Sequence, residues 1–210
     1  MLVQKCQSWY KNQINNLSEF LLSYLPPEPD KRKNTWRYKI VAFDFDGTLA
    51  HGEKFEYSWR RIFEHLEYPD ELNHQGMRRY LTSNKTYEDY KDWCNWAIGL
   101  FIDKGLKKEN FAELAAPLRL TKNCLETIRT LKREGFILAI VSGGIDAFID
   151  YIFPEAYELF DYIFINKLLY DDAGKVTGII PTKYDFDGKL KALEFISNKH
   201  GCNLGQTVFV

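Results

Sequence analysis

Two aspartates, Asp44 and Asp46, stand two residues apart directly after the apolar run Ile40-Val41-Ala42-Phe43. Acids at positions i and i+2 of an extended segment point the same way, so this pair is placed to share a divalent cation and a phosphate. The full segment, residues 39–48, reads K-I-V-A-F-D-F-D-G-T. An isolated D-x-D-G is more often a plain turn. A calcium loop of the EF-hand type needs Gly at its sixth position and Glu at its twelfth. Counted from Asp44 those positions hold Leu49 and Phe55, so that reading fails. A second D-F-D-G, at residues 185–188, follows Pro181-Thr182-Lys183-Tyr184, which is no buried strand, and Asp187 there reads as the N-cap of the next helix. The first copy is set apart by the strand before it and by Thr48 after it.

Two more groups could handle an anion. Residues 136–144 read F-I-L-A-I-V-S-G-G. A Ser hydroxyl followed by backbone N–H groups that open a helix makes an anion site, and Gly143 and Gly144 let the main chain come close to a phosphate. The segment is not a nucleophile elbow, because the position two before Ser142 is Ile140 rather than Gly. Lys189 falls in the first turn of an amphipathic helix that opens at Gly188 and ends near His200 and Gly201. A cation there opposes the helix dipole, a mild penalty that hints at a task such as steadying a nucleophile's charge and a phosphate. A single Lys is otherwise most often a solvated surface residue.

These groups must be held by strands. The runs at 40–43 and 136–141 lack polar interruption, as expected of strands buried on both faces in a parallel sheet, and Asp and Gly stop them. Open α/β sheets place ligands at the carboxyl ends of their strands. Residues 159–168 and 207–210 read as further strands. Between the first two strands the chain reads helical over 57–66, 71–81, 86–102 and 108–114.

An apolar strand ending in D-F-D-G-T resembles the first motif of the haloacid dehalogenase superfamily. Ser142 matches that family's second motif and Lys189 its third. The order that follows Ser142 resembles the phosphoserine phosphatase-like branch: a strand with an Asn-x-Leu segment, Asn166-Lys167-Leu168, then the turn Gly174-Lys175-Val176-Thr177-Gly178 before the motif Lys. The likeness covers about residues 39–49 and 121–210. It implies an α/β fold with a Rossmann-like parallel sheet as core (37–49 and 121–210), a helical cap at 50–120, and an N-terminal helical extension and linker at 1–36. It also implies a fourth motif, Gly-Asp-x-x-x-Asp or a variant, directly after the last strand. The sequence stops at Val210, so the core is expected to be incomplete at its C-terminal end, as in a truncated chain or, alternatively, a naturally short and inactive relative.

The resemblance implies a phosphomonoester hydrolase for a small phosphorylated metabolite. Asp44 would be the nucleophile and Asp46 the general acid and base. Mg2+ would sit on the Asp44 carboxylate and the Asp46 backbone carbonyl, with waters, a substrate oxygen and an acid of the fourth motif. Ser142, the Gly143 N–H and Lys189 would bind the phosphate, and Thr48 would hold the loop and an oxygen. Glu53 lies where phosphoserine phosphatases place a Glu that touches the substrate amine. Where those enzymes place an Arg for the substrate carboxylate, this chain has Cys94, and phosphoserine itself is therefore in question. Trp59, Tyr87, Tyr90, Trp93 and Trp96 either line an aromatic pocket or, more simply, form the cap's own core. A non-catalytic phosphate-binding or interaction protein of the same fold, or a phosphotransferase or mutase variant, is the alternative reading.

Composition narrows the partners. Lys plus Arg number 28 against 29 Asp plus Glu, so no basic excess exists to hold nucleic acid. The longest apolar run is far too short to span a membrane, and the amino terminus lacks an apolar signal core. Cys6, Cys94, Cys124 and Cys202 are isolated in sequence, with no C-x-x-C and no clustering with His. They read as reduced thiols of a cytoplasmic protein. Residues 8–25 pattern as an amphipathic helix, with Trp9, Ile14, Leu17, Phe20, Leu21 and Tyr24 on the apolar face, that could pack on the core, on a partner or on a second copy.

Overall fold

The structure, a computed structural model, describes residues 37–52, 57–185 and 188–210. The helix expected over 8–25, the linker after it, Glu53 and the Asp187 cap lie outside the described residues.

The central sheet has five strands in the order β6-β5-β4-β1-β7. They are β1 (Ile40–Phe43), β4 (Ile137–Ile145), β5 (Tyr162–Tyr170), β6 (Val176–Ile180) and β7 (Thr207–Phe209). Strand β1 pairs in parallel with β4, Ile40 opposite Ile137, and with β7, Ile40 opposite Thr207. The β4–β5 pair is also parallel, and β5–β6 is an antiparallel hairpin. The expected parallel core is thus present, with one antiparallel edge strand.

The period of two along β1 splits its side chains between two cores. Val41 and Phe43 join the large cluster beneath the helices, while Ile40 and Ala42 meet Ala139, Val141, Ala192 and Ile196 on the opposite face. Both faces are therefore dry, which explains the uninterrupted apolar run. Phe43 is fully buried one residue before Asp44, and its ring meets Phe160 edge-on at 6.1 Å. Phe43→Ala should cost about 3–5 kcal/mol of folding free energy, to be read as a lowered denaturant midpoint.

A short antiparallel pair, β2 (Ala50–His51) and β3 (Arg119–Leu120), brackets four helices: α1 (Ser58–His65), α2 (Asp70–Leu81), α3 (Tyr87–Asp103) and α4 (Asn110–Ala115). Helix α3 opens on a capping box in which the Thr86 side chain accepts from the Asp89 N–H and Asp89 accepts from the Thr86 N–H. Beyond β3 come α5 (Cys124–Arg133), α6 (Ala147–Ile152), α7 (Ala156–Leu159) and, after β6, α8 (Gly188–Lys199). Helix α8 covers the second face of the sheet with Ala192 and Ile196.

The aromatic side chains of the inserted helices pack on one another. Trp59 and Trp93 lie 4.6 Å apart, Tyr90 stacks on Trp93 at 5.8 Å, and Phe63 meets Phe101 at 5.0 Å. Trp59, Tyr90 and Trp93 are all buried, so these rings are the core of the helical layer. Tyr87 and Trp96 are half-buried at its margin.

Candidate active site

The chain leaves β1 at Asp44, at the carboxyl end of a strand flanked on both sides by parallel neighbours. Asp44 Oδ1 accepts from the Phe45 N–H at 2.8 Å, and the Asp44 N–H donates to Val210 O at 3.0 Å. Lys189, in the first turn of α8, donates from Nζ to Asp44 Oδ2. Both side chains keep about a quarter of their surface open, 27% and 25%. The same ammonium lies 5.3 Å from the centre of the Phe209 ring. A Lys in the first turn is thus explained by what it reaches on β1.

The turn after Asp44 is tight. Gly47 sits at φ +76, a left-handed conformation that costs a residue with a Cβ but not glycine. Its N–H donates to Ala50 O at 2.8 Å. Thr48 is held through its main chain, its carbonyl accepting from Thr121 Oγ1.

Asp46 points across to β4 and α1. Its Oδ2 accepts from the Ser58 N–H at 3.0 Å and from Ser58 Oγ at 2.7 Å, so the carboxylate caps the amino end of α1. A Cβ placed on Gly144 would stand 3.0 Å from this same oxygen. Burial pushes the Asp46 carboxyl up from its ordinary 3.8 to about 6, against the lowering effect of the two Ser58 bonds and with a further push from Asp44 and Asp185. A carboxyl tuned to this value holds a proton in acid and takes one up near neutrality.

Ser142 lies within β4, which runs on through Gly143 and Gly144 to Ile145 rather than stopping at the glycines. Its side chain is buried, and its Oγ accepts from the Gly144 N–H at 3.1 Å. The hydroxyl's own hydrogen is not spent by that bond. A Cβ on Gly143 would overlap the carboxylate of Asp185, which would have to swing away to admit it. The Gly143 carbonyl accepts from Trp59 Nε1 at 2.8 Å and from Asn166 Nδ2 at 2.7 Å.

The structure therefore joins Asp44 to Lys189 directly, and sets Asp46 against Gly144 on the neighbouring strand. Three participants were not read from the sequence. Ser58 looked like any helix start. Asp185 belonged to the dismissed second D-F-D-G; residues 181–185 are no strand, but the Asp185 carboxylate lies against Gly143. Asn166 was noted for its segment, not for what its amide holds. A buried Asn inside a strand whose neighbours are apolar was the available signal, because such a side chain must find partners.

Among the described residues no three His, Cys, Asp or Glu side chains gather as a metal-binding group. The donors at the β1 tip are hard oxygens, the carboxylate of Asp44 and the main-chain carbonyl of Asp46. One or two carboxylates completed by waters and phosphate oxygens is the set that Mg2+ accepts, so these residues fit that ion.

Residues 41–210 match the family described as haloacid dehalogenase-like hydrolase. The phosphoserine phosphatase of Methanocaldococcus jannaschii is 30% identical over 174 residues, 82% of this chain and 76% of that protein. Phosphoserine phosphatase SerB2 of Mycobacterium tuberculosis is 32% identical over 83% of this chain, which spans only 40% of its length. Among solved structures, a phospho-aspartyl intermediate analogue of phosphoserine phosphatase superposes with a TM-score of 0.60 at 27% identity, covering 82% of this chain and 77% of the other. A substrate-bound phosphoserine phosphatase complex gives 0.61 at 26% identity, covering 82% and 76%.

Proposed function

The chain belongs to the haloacid dehalogenase-like hydrolase family, as a phosphatase of its phosphoserine phosphatase-like branch, and from that membership we propose that it hydrolyses the phosphate ester of a small metabolite through a phosphorylated Asp44. The observation that carries this reading is the pair of carboxylates beyond β1, Asp44 touched by Lys189 and Asp46 held by the Ser58 N–H and hydroxyl.

In the first step an Asp44 oxygen attacks phosphorus, and the bond from phosphorus to the leaving alcohol breaks. Asp46, protonated, gives its proton to that departing oxygen. In the second step Asp46, now a carboxylate, takes a proton from the water that attacks the aspartyl-phosphate, and inorganic phosphate leaves. Ser58 keeps Asp46 aimed through both steps. The phosphoryl oxygens are received by the Ser142 hydroxyl, the Gly143 N–H and Lys189. Phosphoryl transfer depends on such positioning and charge neutralisation more than on covalent help. Asp44 and the Asp46 carbonyl would hold Mg2+, which supplies further neutralisation of phosphoryl charge when bound.

Residues 50–120 act in this reading as a cap over the strand tips, shielding the reaction from bulk water. Cys94 in α3 is fully buried, and burial pushes its thiol up in pKa. Helix α3 carries no Arg. It offers no cation at that position for a substrate carboxylate, which favours a phosphomonoester other than phosphoserine. The separate thiols of Cys94, Cys124 and Cys202 favour a reducing compartment such as the cytoplasm. No helix among the described residues is long and apolar enough to cross a membrane.

The test is phosphate release from a generic aryl phosphate. The protein with Mg2+ should turn over, a chelator should stop it, and Mg2+ added back should restore it. Turnover that is indifferent to chelation would remove Mg2+ from the reading.

A further inference from the structure

Asn166 is fully buried at the middle of β5. Its Oδ1 accepts from the Thr182 N–H at 2.8 Å. Its Nδ2 group donates to Gly143 O at 2.7 Å, to Gly144 O at 3.0 Å and to the Tyr90 hydroxyl at 2.8 Å. Accepting at one end and donating at the other leaves a single sense in which the amide can stand. The groups it joins come from three places far apart in sequence: the irregular glycine pair near the end of β4, helix α3, and the segment 181–185 that precedes Lys189.

Each partner is itself tied down. Gly143 O also accepts from Trp59 at the start of α1. Tyr90 is buried and stacked on Trp93, and burial holds its hydroxyl protonated far above ordinary pH. Tyr87, one turn earlier in α3, donates its hydroxyl to Pro181 O at 3.1 Å. Helix α3 is thereby fixed to the 181–185 segment directly and to the glycine pair through Asn166. With the Gly143 and Gly144 carbonyls drawn to one amide, the peptide planes of the pair are set. The N–H that shares the Gly143 carbonyl's plane is that of Gly144, and it donates to Ser142 Oγ, so the clamp also steadies the hydroxyl that would face the phosphate.

We propose that Asn166 and Tyr90 form a buried clamp that transmits the seating of helix α3 to the phosphate-binding end of β4, Asn166 being a positioning residue that touches no reacting atom. The inference rests on the proposed phosphatase reading for its kinetic part only. A filled polar network of this kind is worth most when complete, and a single lost member leaves a buried partner unsatisfied.

The experiment uses the full chain and the variants Asn166→Asp, Asn166→Ala, Tyr90→Phe and the Ala/Phe double. Three quantities are read: the affinity for inorganic phosphate, kcat and KM with an aryl phosphate, and amide hydrogen exchange over 143–145 and 87–94. Asn166→Asp keeps the acceptor for Thr182 but cannot donate, so it should weaken phosphate binding roughly tenfold, as Asn166→Ala does. Tyr90→Phe leaves the bonds to Gly143 and Gly144 in place, so it should weaken phosphate roughly threefold and speed exchange over 143–145 although Tyr90 lies on another element. KM should rise by the same factors, with the smaller change in kcat. The double variant should bind phosphate no worse than Asn166→Ala alone. The clamp is overturned if Tyr90→Phe leaves phosphate affinity and 143–145 exchange at wild-type values, or if Asn166→Asp binds phosphate normally. A wild-type protein that hydrolyses no phosphate ester would defeat the proposed function instead. In that case the exchange comparison still decides the clamp. If Asn166→Ala does not fold, Asn166→Asp and Tyr90→Phe carry the decision.

Discussion

The Asp44→Asn variant should release phosphate from an aryl phosphate roughly a thousandfold more slowly than wild type, or worse, while folding normally. The amide occupies nearly the same volume and can still accept from the Phe45 N–H. It also loses the charged partner of Lys189, but both side chains reach water, so the ammonium left behind stays hydrated rather than stranded in the core. What the amide lacks is nucleophilicity: a neutral carboxamide oxygen does not attack phosphorus to give a stable acyl phosphate. Removing a covalent nucleophile leaves only the binding part of the rate enhancement. Wild-type protein quenched in turnover should carry an acid-stable, alkali-labile phosphate that the variant lacks. An Asp44→Asn protein that keeps wild-type turnover would overturn the nucleophile assignment.

The Asp46→Asn variant should be nearly inactive and more stable than wild type. Its kinetic signature differs from that of Asp44→Asn. An aryl leaving group departs without much need of a proton, so a rapid burst of about one equivalent should precede the stall, because nothing then deprotonates the hydrolytic water. An alkyl phosphate should give no burst. The stability gain follows from burial. The folded-state pKa of Asp46, about 6, exceeds its ordinary 3.8, so between these values the folded chain binds more protons than the unfolded one. Stability from this group is complete below pH 3.8 and is lost as pH rises through 6. The shift is worth about 3 kcal/mol at neutral pH as an upper bound, at 1.36 kcal/mol per unit. An Asn can accept from Ser58 without that penalty. Denaturant midpoints at pH 4 and pH 7 should converge in the variant relative to wild type, and a variant less stable than wild type at pH 7 would contradict the account.

What the sequence disclosed and what it hid divide along a physical line. Asp44, Asp46 and Lys189 could be singled out in the sequence because each stands beside its own positioning element, just past a strand or in a first helical turn, where local pattern is enough; Ser142 instead lies inside β4, which runs on to Ile145. The helices over 57–66, 71–81, 86–102 and 108–114 were legible through their apolar period, and they formed as α1 to α4 within a residue or two at most ends. The interactions that tune the site were not legible, because they close between distant segments. Ser58 meets Asp46 across a loop, Trp59 reaches Gly143 from another layer, and Asn166 reaches Tyr90 in the inserted helices. Local pattern also cannot separate an aromatic pocket from an aromatic core. Only the mutual packing of Trp59, Tyr90 and Trp93, all out of solvent, decided for the core.

The register of β1 carries a consequence for how the molecule is made. This strand precedes both its hydrogen-bonding neighbours, Ile137 and its successors on one side and Thr207 and its successors on the other. Both pairings close loops of great sequence separation, the kind that slow folding. On the ribosome an apolar ribbon ending at Asp44 must therefore wait, unpaired and adhesive, at least until β4 has emerged. A chaperone that shields residues 40–43 during translation should raise the yield of native protein more than one acting after release.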